Sequence, residues 1–451
     1  MKLRKYILAL ALIPAASFSL CAQSFQQGLF LDCYRLGYRY NPAIQNEGKV
    51  LSVGEWDNQT RNNFGAASFL YPREEGLVTA LHSSVSADEF LGSLQDRNYF
   101  TGDINFNLFS YGWRKDAAYH TIEASVRGSY GMTLPKELFS LLKLGTTSQV
   151  FDMSNLNVSG NAYAEIAYGY SRKISDAFSV GARAKLLVGV EALNYNFSRL
   201  QLQTSEESYK LGLTADLDLT SRWSKILPDE NGTLSLLNLS SKERWRGPSG
   251  AGLALDLGVV LTPVEGLTLS ASLLDFGGIL WYYGNAGRSD GTVTFTGVKD
   301  LSLEQIQNKD LLSQFNGIKN ELLESLSVKT VEKRVTPEMV PMTVNLAAKY
   351  EMPFYRALSI GATGNFIFRG LMSYREVRGH LAWNPGKYIG ITADGGYGIL
   401  GAVYGLAMNA KIGNFRITAA MSNGFGGTMA YSSLPLKANN KVATIGLTYD
   451  L

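Results

Sequence analysis

Apolar and polar residues alternate along many stretches of this chain. One face of residues 178–188 carries Phe178, Val180, Ala182, Ala184, Leu186 and Val188, and the other carries Ser179, Gly181, Arg183 and Lys185. Successive side chains of a β-strand point to opposite sides, so this pattern predicts a strand with one apolar and one polar wall. Many such segments are about ten residues or longer, the length that a tilted strand needs to cross a bilayer. The sequence therefore predicts an all-β fold, a transmembrane antiparallel β-barrel.

The connections between these segments give the number of strands. Strands are predicted near residues 62–71, 101–112, 117–130, 157–172, 176–192, 249–263, 266–282, 341–352, 356–369, 371–383, 386–396, 401–412, 414–424 and 441–451. Short turns alternate with long connections, as expected when periplasmic turns are short and outer loops are longer. This alternation of short and long connections fits about 14 strands with both chain ends in the periplasm, provided that residues 207–220 belong to an outer hairpin. About 16 strands, another even number, is the alternative.

Residues 1–22 have the pattern of a secretory signal peptide. A basic start at residues 2–5 precedes the apolar run 6–13, and small residues lead to a cleavage position after Ala22. A membrane anchor is the alternative, but the apolar run is too short to span a bilayer. Cys21 lacks the small preceding residue of a lipoprotein signal. We therefore expect export and removal of this segment.

Composition narrows the classes of function. Three of the 42 lysines and arginines lie in the predicted signal peptide, which leaves 39 of them against 39 aspartates and glutamates. A chain without net positive charge is a poor partner for nucleic acid, so none is expected. Cys33 is the one cysteine left after cleavage, and the three histidines, His82, His120 and His380, follow no catalytic or metal-binding spacing. We expect no enzyme activity, no cofactor and no metal.

The last predicted strand alternates to the end of the chain. Ala443, Ile445, Leu447, Tyr449 and Leu451 lie on one of its faces. Such a closing strand resembles the signal that the outer-membrane assembly machinery reads, with leucine in place of the usual terminal phenylalanine. We therefore expect the barrel-assembly machinery as a partner during biogenesis. The predicted final location is the lipid of a Gram-negative outer membrane.

Several short motifs are familiar from known proteins. They are Tyr38-Arg39-Tyr40-Asn41-Pro42-Ala43, Phe69-Leu70-Tyr71-Pro72-Arg73, Ser84-Val85-Ser86-Ala87-Asp88-Glu89-Phe90-Leu91 and Leu274-Asp275-Phe276-Gly277. Together they resemble an uncharacterised family of Bacteroidota outer-membrane β-barrel proteins of unknown function. The segment Asn41-Pro42-Ala43 is also similar to the N-terminal hatch of the FadL-like hydrophobic-compound transporters.

This resemblance implies a division of the chain. Residues 1–22 are the signal peptide, residues 23–61 an N-terminal hatch or plug segment, and residues 62–451 the barrel. Asn41 and Pro42 suit a tight turn in the hatch, because proline fixes φ and asparagine accepts hydrogen bonds within turns. A disordered periplasmic tail is the alternative. The segment is too apolar for a free tail, since it contains Phe25, Leu29, Phe30, Leu31, Tyr34 and Leu36.

The polar faces of the predicted strands point into the barrel. The candidate lumen-lining residues are Asn161, Glu165, Arg183, Lys185, Asn345, Lys349 and Asn365. Charges of both signs fall on neighbouring strands, so they can pair and hold a closed, hydrated interior. A path lined for a substrate is the alternative interpretation. In the outer connections, residues 302–327 and 135–144 have helical spacing, which predicts helical outer loops.

Residues 267–278 contain an irregular position. The predicted outward face includes Asp275, and a carboxylate is costly against lipid. A bulge at Leu274 and Asp275, aided by the flexible Gly277 and Gly278, turns the carboxylate inward. The alternative is a carboxylate at the membrane rim. In FadL-like barrels, such a kink opens a side exit for hydrophobic ligands.

Besides a surface enzyme, which the positions of the histidines do not favour, these features lead to two functional hypotheses. The first is passive uptake of small hydrophobic compounds, as the FadL-like resemblance implies, with such a compound as ligand. The second is a non-conducting barrel that docks exported proteins at the cell surface. An apolar pocket inside the barrel would favour uptake, and a plugged lumen with ordered outer loops would favour docking.

Overall fold

The computed structural model describes most of the chain. It covers residues 25–74, 76–145, 149–204, 209–221, 225–226, 233–234, 239–240, 247–282, 285–295, 328–331, 335–423 and 437–451. The predicted signal peptide and the predicted helix at 302–327 lie outside these residues. Within them, no helix is long and apolar enough to cross a membrane.

Fourteen antiparallel strands form a closed ring. They are β1 (Val50–Asn62), β2 (Arg97–Lys115), β3 (Ala118–Pro135), β4 (Asn157–Ser175), β5 (Phe178–Thr204), β6 (Gly250–Val264), β7 (Leu267–Trp281), β8 (Met342–Glu351), β9 (Leu358–Phe368), β10 (Tyr374–Trp383), β11 (Ile389–Gly398), β12 (Gly401–Ile412), β13 (Phe415–Ser422) and β14 (Asn439–Asp450). Each strand pairs with the next along the chain, and β14 pairs with β1. The predicted 14-strand antiparallel barrel is therefore confirmed.

The barrel wall begins earlier than the sequence pattern predicts. β1 ends at Asn62, where the pattern places the start of the first strand. The wall thus starts at residue 50, so residues 50–61 of the predicted hatch belong to the barrel wall. The pattern misses this strand because polar residues occupy both of its faces after Val53, with Trp56 as the one large apolar side chain.

Exposure follows the predicted alternation on β5. Leu186 is 47% exposed on the outer side, whereas Lys185 and Leu187 are 1% and 0% exposed inside the barrel. Ile166 on β4 and Leu253 on β6 pair with Leu186 and are equally on the outer side. An apolar outer wall around a polar interior is the surface expected of an outer-membrane β-barrel.

The outer connections carry ordered structure of their own. Helices α1 (Ala87–Gly92) and α2 (Lys136–Leu144) contribute to a buried cluster, which consists of Tyr71, Ala80, Val85, Phe90, Leu94 and Phe139. α2 occupies the region of the helix predicted at 135–144. Strand Tyr209–Ser221 pairs with the outer part of β5 and with strand Asn285–Phe295, so it belongs to an outer sheet, as the strand count requires.

The remaining strands are short. Leu70–Arg73 pairs with Gly76–Thr79, and Thr336–Met339 continues the wall beyond β8. The others are Val150–Asp152, Lys225–Ile226, Thr233–Leu234, Leu239–Ser240 and Val328–Val331.

Candidate functional site

Residues 25–49, here called the lumenal segment, lie inside the barrel. Gln26 Nε2 donates a hydrogen bond of 3.0 Å to Glu376 Oε1 on β10, and Gln27 Nε2 donates one of 2.8 Å to Asp394 Oδ2 on β11. The apolar side chains of the segment are buried, and they include Phe25, Leu31, Tyr34, Leu36, Tyr38 and Tyr40. The segment therefore fills the lumen with both packed rings and hydrogen bonds to the wall.

Asn41, Pro42 and Ala43 form a turn that is pressed against the wall. Ala43 N donates to Asn41 Oδ1 at 2.9 Å, as in an Asx turn, and Asn41 Nδ2 donates to the backbone oxygen of Val259 at 2.9 Å. The approach is so close that a Cβ at Gly258 would overlap Asn41 and Pro42. Glycine in β6 is thus a requirement of this turn.

Arg39 attaches the other side of the lumenal segment to β1 and β3. Its guanidinium pairs with Glu55 and lies 3.4 Å from both Asp57 Oδ2 and Glu123 Oε1. Tyr34 donates to Glu55 at 2.9 Å, and burial raises the pKa of this phenol, so it stays protonated. All of these side chains are buried. Charges removed from water to this extent are stable only with close partners.

Glu123 also belongs to a buried ion network that reaches β7. Arg183 lies 3.2 Å from Glu123 and 3.3 Å from Asp256. Lys185 Nζ lies 2.8 Å from Asp256 and 2.5 Å from Asp275. A continuous chain of opposite charges thus connects the lumenal segment with the wall at Asp275.

Arg127 closes this network. It donates two hydrogen bonds, of 2.7 and 2.9 Å, to Asp275 and one of 2.7 Å to Glu165. The cations of the network are Arg39, Arg127, Arg183 and Lys185, and its carboxylates are Glu55, Asp57, Glu123, Glu165, Asp256 and Asp275. The carboxylates outnumber the cations by two, so each cation, including the one on the lumenal segment, is needed to limit repulsion.

The structure places a register shift at Leu274 and Asp275. Leu255 pairs with Phe276 and Leu257 pairs with Leu273, so two residues of β7 oppose Asp256 alone. Asp275 has a φ of 61°, its N–H donates to Asp256 Oδ1 at 2.8 Å, and its side chain points inward. This is the geometry of a β-bulge.

The pairing of β7 is interrupted on its other side too. Leu274 pairs with Thr343 of β8, and the next pair is Gly278 with Met339. Between them, Val340 N donates to Gly277 O at 3.2 Å, and Pro341 has no N–H to donate. We call residues 275–277 and 340–342 the seam.

Apolar side chains lie inside the barrel beside the seam. This lumenal apolar cluster comprises Tyr163, Leu187, Ala254, Ile279, Trp281 and Val340. Val340 belongs to the seam itself, and Ala254 pairs with Gly277. On the lipid side, Phe276 and Met339 are 56% and 66% exposed. Apolar surface therefore meets the seam from both sides of the wall.

A small cavity lies among the described residues of the lumen. One cavity, lined in part by Arg61, Asp103, Arg127, Tyr163, Pro341 and Ile367, offers about 20 Å³ for solvent. That volume holds one or two water molecules. The conformation described here is closed.

The other predicted lumen residues also face inward. Asn161 Nδ2 donates to Glu338 Oε1 at 2.6 Å. Asn365 donates to Asn345 at 2.7 Å, and Lys349 forms an ion pair with Asp32 of the lumenal segment. Asn161, Asn345 and Asn365 therefore contribute to a hydrogen-bonded filling, and Lys349 holds the lumenal segment.

Sequence reasoning missed the residues that hold the lumenal segment, above all Arg39, Glu55 and Asp57. The sequence did contain a signal for this strand, because Glu55, Asp57, Gln59 and Arg61 recur with a period of two.

Among the histidines, His380 faces the lumen, stacks on Phe30 at 4.2 Å and contacts Thr363 Oγ1 at 2.8 Å. Within the described residues, no three His, Cys, Asp or Glu side chains form a potential metal site.

The closed ring, the apolar outer wall and the lumen occupied by residues 25–49 are the features of an outer-membrane β-barrel. The chain belongs to the family described as "Family of unknown function (DUF5723)", whose model matches residues 42–422. No curated protein matches the sequence.

Several solved structures are similar in fold. The Pseudomonas putida toluene transporter TodX is 10% identical, with a TM-score of 0.44 over 92% of this chain and 94% of that chain. A Pseudomonas aeruginosa FadL homologue is 11% identical, with a TM-score of 0.47 over 97% and 99%. The Ralstonia pickettii toluene transporter TbuX is 9% identical, with a TM-score of 0.45 over 97% and 96%. At these identities the similarity concerns the barrel fold alone.

Proposed function

We propose that this protein is a gated outer-membrane barrel that takes up small hydrophobic compounds and releases them sideways through the seam. The observation that carries the proposal is the seam itself, an interruption in strand pairing on both sides of β7. At the seam, the N–H of Asp275 bonds the Asp256 carboxylate instead of a ladder partner, and Pro341 has no N–H to donate, so this part of the wall is held less strongly than a regular ladder. Here the seam separates the lumenal apolar cluster from lipid.

The lumenal segment acts as the gate in this proposal. A hydrophobic compound gains free energy by moving from water to an apolar surface, and the lumenal apolar cluster supplies that surface. In the described part of the chain, residues 25–49 occupy the lumen, and the cavity beside Arg127 and Pro341 is too small for such a compound. Uptake therefore requires displacement of the segment, which strains the ion network that ends at Asp275.

Cross-linking the seam tests the proposal. In a Cys33→Ser background, Phe276→Cys and Met339→Cys place thiols diagonally across the seam on the lipid side, and a short bifunctional thiosulfonate joins them. The matched control is Leu269→Cys with Leu346→Cys, which has the same diagonal relation between β7 and β8, where the ladder is intact. Radiolabelled toluene and a medium-chain fatty acid serve as probes in intact cells, because a plain phospholipid bilayer does not exclude them.

We expect cross-linking of the seam pair to abolish uptake and a reductant to restore it, while the control pair has no effect. Equal inhibition of uptake by both cross-linked pairs would show that the seam is not part of the uptake route. Uptake no faster than in cells without the protein would refute the uptake function as a whole.

Docking of exported proteins is the second candidate. Its specific support is the combination expected of a docking barrel, a lumen filled by residues 25–49 and an ordered outer sheet, in which Tyr209–Ser221 and Asn285–Phe295 extend β5 beyond the ring. A photo-crosslinking residue at exposed Arg288 would form a defined adduct with an exported protein in cells if this surface docks one. The same residue at Lys173, near the short turns, is the control. Absence of a specific adduct at Arg288 would exclude docking at this sheet.

A further inference from the structure

The outer surface of β2, β3 and β4 near their short turns carries an ordered arrangement of side chains. In the row closest to the turns, Ala118 pairs with Lys115 on one side and Arg172 on the other. The next outward-facing row consists of Trp113, His120 and Tyr170. Their chain neighbours Gly112, Tyr119 and Ser171 are buried inside the barrel. All six side chains therefore face the membrane side of the wall.

The aromatic row is fixed in place by contacts within it. Trp113 and His120 stack with ring centroids 5.2 Å apart and an interplanar angle of 11°. Tyr170 meets His120 edge-on at 5.4 Å, and Tyr168 Oη lies 2.8 Å from His120 Nδ1. Aromatic side chains of this kind occupy the boundary between the apolar core of a membrane and its headgroups.

Lys115 and Arg172 flank a gap at Ala118. Two inter-strand spacings separate their Cα atoms, which corresponds to roughly 10 Å. Both side chains are long enough to converge above the small alanine. Both are exposed, and within the described residues neither forms an ion pair. Asp116 and Asp176 lie in the adjoining turns and do not pair with them.

The same rim offers a contrast on another sector. Arg356 is exposed near the turn between β8 and β9, but it forms an ion pair with Glu265. Its charge is therefore already compensated. The sector around Ala118 carries two cations that have no ion-pair partner among the described residues. They lie directly beside an aromatic row and, farther into the wall, the exposed Ile122 and Ile166.

We propose that this sector binds one phospholipid of the periplasmic leaflet. Lys115 and Arg172 hold the phosphate over Ala118, the aromatic row supports the glycerol region, and the apolar wall contacts the acyl chains. The membrane is the source of the phosphate because the cations lie at the edge of the apolar band, where headgroups lie. Two cations favour an anionic headgroup over a zwitterionic one.

Native mass spectrometry of the detergent-solubilised protein tests this site. Phosphatidylglycerol, phosphatidylethanolamine and diacylglycerol are added separately, and the bound fraction is compared between the wild type and the double variant Lys115→Gln/Arg172→Gln. The matched control is Arg356→Gln/Lys387→Gln, which removes two cations from another part of the rim. Heat-modifiable migration verifies that each variant is folded, and Ala118→Trp fills the gap without changing charge.

We expect phosphatidylglycerol binding to fall roughly tenfold or more in Lys115→Gln/Arg172→Gln, from the loss of two cations near the headgroup. Ala118→Trp should weaken binding as well, and the control variant should not. Competition by inorganic phosphate would identify a free-phosphate site instead. Equal binding of diacylglycerol, or equal loss in the control variant, would overturn the proposal.

Discussion

Two of the attachments between the lumenal segment and the wall differ in the source of positive charge. On β10 and β11, Arg378 of the wall pairs with Glu376 at 3.0 Å and with Asp394 at 2.8 Å, and the segment adds only the neutral amides of Gln26 and Gln27. On β1 and β3, the segment itself supplies the cation. Displacement of the segment leaves the first ion cluster intact and deprives the second of Arg39.

This difference indicates which attachment holds the barrel closed. Glu55 and Asp57 have Arg39 as their cation within ion-pair distance in the described part of the chain. Two buried carboxylates without a cation are strongly unfavourable, because neither burial nor repulsion is then compensated. The attachment at Arg39 therefore opposes opening more strongly than the one at Gln27.

The largest effect is expected for Arg39→Gln. Removal of one partner from a buried ion cluster costs about 3–5 kcal/mol of unfolding free energy. Urea unfolding of the membrane-embedded protein, followed by heat-modifiable migration, measures this loss. A stability within about 1 kcal/mol of the wild type would show that these carboxylates do not depend on the charge of Arg39.

Gln27→Ala tests the attachment of the lumenal segment to β10 and β11. Gln27 donates to Asp394 at 2.8 Å and to Ser422 at 2.9 Å, and a hydrogen bond to a charged group contributes about 1.5–3 kcal/mol. The same unfolding assay should give a loss smaller than that of Arg39→Gln, because Arg378 still compensates Asp394. A larger loss would reverse the proposed ranking of the two attachments.

The double variant Arg39→Gln/Glu55→Gln isolates the charge effect. Removal of one of the carboxylates left without a cation should recover part of the stability, with a coupling of about 0.5–3 kcal/mol. The double variant is therefore expected to unfold at a higher urea concentration than Arg39→Gln alone. If the stability losses of the two single variants simply add in the double variant, Arg39 acts through packing rather than charge.

The smallest effect is expected at the rim. Arg356 and Glu265 form an ion pair with side chains 66% and 79% exposed. Exposed pairs contribute little and are screened by salt. Arg356→Gln should leave the unfolding midpoint unchanged at both low and high ionic strength. A clear shift at low salt would show that charge at the rim also stabilises the closed barrel.

The alternation of residues was sufficient to predict most of the wall. The predicted strand at 401–412 coincides with β12, and the faces of β5 follow the predicted pattern, because lipid on one side and a polar interior on the other impose a strict period of two. β1 was not predicted because its outward face carries Asn58 and Thr60 instead of apolar residues. The position of Asp275 indicated an irregularity, since a carboxylate facing lipid conflicts with the pattern.

The partners within the lumen could not be predicted in the same way. Alternation tells on which face Glu123 lies, but not that Arg39, far away in sequence, lies 3.4 Å from it. That contact depends on how the lumenal segment folds back into the barrel, and its turns at Gln26–Phe30 and Gly37–Arg39 follow no periodic pattern. The charges of the network were visible in the sequence, whereas their connection was not.

Cys33 offers the most direct test of whether Arg39 holds the lumenal segment in place. Its side chain is 3% exposed, its Sγ lies 3.6 Å from Gly386 O, and burial raises the pKa of its thiol. Alkylation by a maleimide at neutral pH is therefore slow while the segment is in place, and displacement both exposes the thiol and returns its pKa to the ordinary value. We predict that Arg39→Gln accelerates labelling by roughly two orders of magnitude and Gln27→Ala by about tenfold. Equal labelling rates in wild type and Arg39→Gln would contradict the claim that the charge of Arg39 keeps the barrel closed.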